Sequence, residues 1–169
     1  MDCRNRPVLR IIGGMNYSIR ECHPADAAEL ARLRVEFLLE VGQPSHAGFT
    51  DVLEQWFRDA LATPRVRVWV AERDGRIVGT AAVNPFERIP NGHNPVGRGW
   101  YVINVYVLPE ARGQGVAEAL MRALQQAATD AGVPILELHA SDHGRPLYER
   151  LGWTVPPDFM ELRLEGFHS

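Results

Sequence analysis

The residues best suited to chemistry lie between Val105 and Ala117, in the stretch VYVLPEARGQGVA. An apolar run passes through Pro109 into a turn with glycines at 113 and 115, and apolar helical spacing resumes at Val116. Glycine can take backbone angles closed to other residues and lets a ligand approach the main chain closely. The first N–H groups of a helix starting at 116 have no intrahelical acceptor. Together with the positive end of the helix dipole they form an anion site. Arg112 adds a planar cation suited to phosphate oxygens. Physically, the turn is a pyrophosphate cradle. Two other phosphate loops do not fit. A G-x-x-x-x-G-K-S/T loop needs a Gly-Lys pair, and the chain has no lysine. The dinucleotide pattern G-x-G-x-x-G/A starts at Gly113 but puts Glu118 at its third small position.

Elements on either side must hold that turn. Trp100 to Val107 is aromatic and β-branched apart from Asn104, the pattern of a strand buried on both faces. Val116, Leu120, Ala123, Leu124, Ala127 and Ala131 fall on one helical stripe that ends at Gly132. Ile135 to Ala140 reads as a further strand, and Pro146 to Leu151 as a short helix stopped by Gly152. Upstream, Tyr17–Glu21 reads as a strand, 25–41 as a helix, and 51–62 as a second helix capped by Asp51. Val66, Val68 and Val70 alternate with Arg65, Arg67 and Trp69, which predicts a half-buried strand. Asp74-Gly75 signals a hairpin into Arg76–Val83. Residues 84–99 form a long Pro-, Gly- and Asn-rich loop, either a substrate-holding loop or a solvated insertion. Residues 153–155 and 159–165 suggest a closing strand or hairpin, and residues 1–16 an N-terminal extension to a single domain over 17–169. The order predicts an α/β (α+β) domain whose mixed sheet carries helices on both faces.

Two stretches then carry a resemblance. Arg112-Gly113-Gln114-Gly115-Val116-Ala117 resembles motif A of the GNAT acyltransferase superfamily, Q/R-x-x-G-x-G/A. Ser141 to Trp153 (SDHGRPLYERLGW) is similar to the family's N-x-x-A-x-x-L-Y-x-x-L-G-F signature. Ser141, Gly144 and Trp153 replace Asn, Ala and Phe, while Leu147, Tyr148, Leu151 and Gly152 agree.

The resemblance implies a mostly antiparallel central sheet in which the strands at 100–107 and 135–140, the family's fourth and fifth, splay apart. It implies acetyl-CoA as co-substrate and no metal. The pantetheine arm would add to the strand edge at Val105, Tyr106 and Val107. The pyrophosphate would sit beside Arg112 on the N–H groups of Gly113, Gln114, Gly115, Val116 and Ala117. A backbone N–H at Val105 or Tyr106 would bond the thioester carbonyl. Tyr148 matches the family's general acid. Ser141 would either bond the pantetheine or cap a turn. Where some members carry a basic Glu at the start of the strand, this chain has Trp100, Tyr101 and Asn104. The base is left among a water chain, Glu137, His139, Asp142 and His143. The acceptor would be an amine, and a homodimer is compatible with the resemblance. Peptide acetylation and non-catalytic acyl-CoA sensing remain alternatives.

Bulk properties agree with a small enzyme. The chain has 169 residues, 46% of them hydrophobic, and a formal net charge of -3, enough to bury a core without the basic excess of nucleic-acid or anionic-membrane binders. Cys3 and Cys22 offer neither a disulfide framework nor metal-ligand spacing. No apolar run reaches membrane-spanning length. The expected location is cytoplasmic.

Overall fold

A computed structural model describes residues 8–12 and 15–162 of the chain. They fall into two compact units that divide between His139 and Ala140.

The first unit contains a six-stranded sheet in the order β1-β2-β3-β4-β5-β6. The strands are β1 (Val8–Ile12), β2 (Met15–Glu21), β3 (Arg67–Arg73), β4 (Arg76–Glu87), β5 (Arg98–Val107) and β6 (Leu136–Glu137). Every neighbouring pair is antiparallel except β5 with β6, which is parallel. That parallel step follows from the helical crossover between them. Helices α1 (Ala27–Glu40) and α2 (Phe49–Leu61) lie between β2 and β3, and α3 (Val116–Asp130) between β5 and β6.

Most expected elements form, with shifted ends. Val8–Ile12, expected to be part of an extension, pairs with β2 along its whole length. Gly48, with φ +81, precedes α2, so Asp51 sits in the first turn and is not the cap. The expected 84–99 loop is shorter, because β4 and β5 continue pairing out to Glu87↔Arg98. Pro85 is tolerated inside that ladder, opposite Trp100. Asp74 and Gly75 have φ of +52 and +76, the two positive angles of a type I′ hairpin turn.

The sheet is covered on both faces. A Cβ at Gly79 would lie 3.2 Å from Leu120 Cδ1 and Val116 Cγ1, so this face of β4 meets α3. Side chains alternate along a strand, so Thr80 points the other way, toward α1. There Phe37 of α1 packs on Tyr106, with ring centroids 5.5 Å apart. Leu30 and Leu33 of α1 and Leu120 and Leu124 of α3 are fully buried against these two faces. This corrects the half-buried reading of β3. Val68 to Ala71 are all buried, because a helix covers each side. Arg67 stacks over Trp69 and Trp100, 4.9 and 4.8 Å from their centroids.

The second unit contains α4 (Arg145–Arg150), with Pro146 near its start and Gly152 at φ +86 after its end. Residues 153–162 form no strand, and 163–165 lie outside the described residues.

Gly79→Ala is expected to destabilise the protein by about 1 kcal/mol or more, because its methyl group would overpack. The new atom would press on Leu120, Val116 and the Tyr106 carbonyl at once. A lowered urea midpoint checks this; an unchanged or raised midpoint refutes it.

Candidate active site

The site is organised by an irregularity in β5. Thr80 pairs with Tyr106 and Ala82 with Ile103, so Asn104 and Val105 together face Ala81. This is a β-bulge. Asn104 takes φ +50, a left-handed value that Asn tolerates better than most residues. Thr80, buried and polar, donates its hydroxyl to the Asn104 carbonyl at 3.1 Å. Asn104 Nδ2 in turn donates to Thr80 Oγ1 at 3.4 Å. The bulge is therefore held from beneath by one side chain.

Beside it lies an open edge. Strands β5 and β6 pair only at Trp100↔Leu136 and Tyr101↔Glu137, and beyond them they part. The splay expected between these two strands is present, while the expected strand at 135–140 is cut to Leu136–Glu137. The strand is also not buried on both faces throughout: Ile103, Asn104 and Val105 are half-exposed where β6 has left. The Leu108 N–H donates to Val78 of β4. By strand alternation the Tyr106 N–H faces β4 as well, and those of Val105 and Val107 face the open edge.

At the end of this edge lies the cradle. Gly113 and Gly115 take φ +71 and +79, and α3 begins at Val116. Among the described residues, the N–H groups of Gly113, Gln114, Gly115, Val116 and Ala117 find no backbone acceptor. A Cβ at Gly113 would project into open space. The Gln114 side chain is turned away from that space. Tyr17, fully buried, donates its hydroxyl to Gln114 Oε1, and Gln114 Nε2 donates to the Glu110 carbonyl at 3.0 Å. Only the backbone of Gln114 is left for a ligand.

Arg112 lies along the open edge. Its Nε donates to the Val107 carbonyl at 2.8 Å, and its Nη2 pairs with Glu40 Oε2 at 2.6 Å. The Arg112 guanidinium holds the Glu40 carboxyl below the usual carboxylate range. The Tyr106 hydroxyl donates to the same Glu40 oxygen at 3.2 Å. Glu40, at the end of α1, carried no signal in the sequence. Nor did Arg34, which reaches the bulge and donates from Nη1 to Asn104 Oδ1 at 3.2 Å. Arg34 meets Asn104, Phe37 packs on Tyr106 and Glu40 meets Tyr106 and Arg112, so these three residues of α1 follow β5 from the bulge to the turn before α3.

At the other end of β5, Tyr101 contacts His139 through its hydroxyl and Nδ1. Glu137 is held by Arg88 in a bidentate pair at 2.6 and 2.7 Å. That pair ties the loop after β4 to β6 and leaves Glu137 poorly placed to collect a proton.

In the second unit, Ser141 Oγ accepts the Gly144 N–H at 3.2 Å, so it caps the turn before α4. Its hydroxyl proton stays available to another acceptor. Asp142 and His143 are exposed turn residues. Tyr148 packs on Trp153 at 6.0 Å. A Cβ at Gly144 would come within 3.0 Å of the Tyr148 ring, which explains glycine where the motif has alanine. Among the described residues the Tyr148 hydroxyl makes no hydrogen bond, and burial raises its pKa above the ordinary phenol value.

The splay and the glycine turn at a helix start are what the resemblance in the sequence implies. The model of the acetyltransferase (GNAT) family matches residues 16–153. The chain belongs to that family. It is 36% identical over 120 residues to an aminoglycoside N(6')-acetyltransferase type 1 of Stenotrophomonas maltophilia, covering 68% of this chain and 69% of that protein. It is 32% identical over 87 residues to rat (Rattus norvegicus) N-acetyltransferase 8, covering 52% of this chain and only 36% of that longer protein. The crystal structure of a predicted acetyltransferase with acetyl-CoA from Clostridium acetobutylicum superposes with a TM-score of 0.78 at 29% identity, over 90% of this chain and 99% of that one. The family match begins at residue 16, after β1.

Thr80→Val should lower stability by about 1–3 kcal/mol, the cost of stranding a buried polar group. It removes the hydroxyl that satisfies the Asn104 carbonyl while keeping the side-chain shape. Urea denaturation measures it, and a neutral result would mean that the bulge needs no such support.

Proposed function

We propose that the protein is an N-acetyltransferase that moves the acetyl group of acetyl-CoA to a primary amine of a small molecule. The open edge of β5 leading into a cradle of free N–H groups carries the proposal. Strand addition suits the peptide-like pantetheine arm, because Val105 and Val107 offer it unpaired backbone groups. To bond the Val107 carbonyl, a pantetheine amide must displace Arg112 Nε, which frees the guanidinium to turn toward the phosphates. The pyrophosphate rests on Gly113 to Ala117. The acetyl-CoA in the related Clostridium acetobutylicum structure supports the same reading. Among the described residues no group of three or more His, Cys, Asp or Glu could hold a metal ion.

At the bulge, the Val105 N–H faces the open edge, and Tyr106 is excluded from that role by alternation. Val105 would bond the thioester carbonyl oxygen as it gains negative charge. The neutral amine attacks the carbonyl carbon. A C–N bond forms, the C–S bond breaks, and the CoA sulfur takes the proton of Tyr148. The attacking nitrogen loses a proton to a base near the mouth of the splay. Among the candidate bases Glu137 is the least suited, because Arg88 holds it. A raised phenol pKa keeps Tyr148 protonated through neutral pH, so its proton donation should fail only as pH climbs through that raised value.

The named action of the Stenotrophomonas relative on aminoglycosides favours a small acceptor over a peptide. No helix among the described residues is long and apolar enough to cross a membrane.

Calorimetry should detect acetyl-CoA and CoA but not NAD; failure to bind either CoA species would remove the basis of the mechanism. Tyr148→Phe should lower kcat by about 10²–10⁴-fold, the usual worth of a general acid. The alkaline limb of the pH profile should disappear with it. An unchanged kcat and profile would take Tyr148 out of the chemistry.

A further inference from the structure

Arg34 is a half-buried cation with little to do inside the protein. It sits in the middle of α1, above the bulge, with its guanidinium carbon 5.2 Å from the centre of the Phe37 ring. A guanidinium offers five N–H donors. Among the described residues Arg34 uses one of them, the Nη1 bond to Asn104 Oδ1. No carboxylate of the described residues pairs with it. The acids nearest on its helix are committed elsewhere: Glu36 to Arg32 and Glu40 to Arg112. Burial lowers the Arg34 pKa, with no acid counteracting it. A cation taken out of water without a counter-ion costs stability unless a bound group offsets that cost. Its place matters as much as its charge. Asn104 is the bulge residue, next to the Val105 N–H, so the free donors of Arg34 stand beside the point of transfer and on the face of β5 that α1 covers.

We infer that Arg34 recognises an anionic group on the acceptor, so that the preferred substrates are amines that also carry a carboxylate or a phosphate. This rests on the acetyltransfer reading above and narrows its substrate class. The anion would pair with the guanidinium in a charge-assisted, bidentate geometry, and the amine of the same molecule would point at the thioester. Phe37 fixes the plane of the guanidinium, and Asn104 fixes one of its edges. Polycationic amines would instead meet an uncompensated positive charge beside the reacting atoms.

The test uses matched acceptors with the full-length protein and acetyl-CoA, read by thiol release. Phenylalanine is compared with phenylalaninamide, and glucosamine 6-phosphate with glucosamine; the two pairs separate carboxylate from phosphate recognition. In at least one pair, the anionic member should have the higher kcat/KM. Arg34→Gln should reduce that preference about tenfold to a hundredfold, the worth of a hydrogen bond to a charged group, mainly through the acceptor KM. Arg34→Lys, which keeps the charge and loses the fork, should retain part of it, an outcome that a merely structural role would not give. Equal kcat/KM within both pairs, or a preference unchanged in Arg34→Gln, overturns the inference alone. A raised KM for acetyl-CoA with the preference intact also overturns it, by assigning Arg34 to the cofactor. No thiol release with any of the amines overturns the acetyltransfer reading itself.

Discussion

One irregular residue pair in β5 governs the rest of the site. In a regular ladder Ala81 would face a single residue; here it faces Asn104 and Val105. The extra residue bends the strand and interrupts its pairing, and β6 stays with β5 for two positions only. From that point the outer edge of β5 is bare. A bare edge is usually a liability, open to pairing with another chain. In this protein it ends at a turn whose N–H groups find no backbone acceptor among the described residues, so strand edge and turn together present one run of unsatisfied backbone.

The support for the bulge is local and polar. Thr80 is buried in an otherwise apolar part of β4, and its hydroxyl answers the Asn104 carbonyl. Glycine at the neighbouring position brings α3 close to the sheet on the other face. The two residues do opposite jobs on opposite faces. Gly79 lets the helix that carries the cradle pack tightly, and Thr80 holds the strand that leads to it. Tyr17 joins this arrangement from β2 by fixing the Gln114 side chain, so the turn keeps its form without relying on the ligand.

Charge is distributed along α1 in a way that follows β5. Glu40 meets Arg112 and Tyr106 near the cradle, while Arg34 stands at the bulge without an acid. The Arg112–Glu40 pair is largely solvent-exposed, and exposed pairs contribute little to stability. It is a contact that can be exchanged at little cost. Arg34 lacks such a partner to exchange.

By itself the sequence determined the glycine turn before α3 and most of the order of the elements. Glycines at 113 and 115, the apolar stripe from Val116 and the β-branched run before Pro109 are local patterns, and local patterns survive translation into backbone angles. The hairpin at Asp74-Gly75 was legible for the same reason. Tertiary structure decided everything that depends on partners distant in the chain. The bulge shows in sequence only as one Asn in an apolar strand, and Thr80 becomes its support only through pairing. The strand at Val8–Ile12 needed β2 beside it. Trp69 is buried because α3 covers a face that alternation alone would leave to solvent. Arg34 is one arginine of an ordinary amphipathic helix until folding sets it against Asn104, seventy residues away. Spacing along the chain records which residues share a helix face or a strand face; it carries no record of which faces meet.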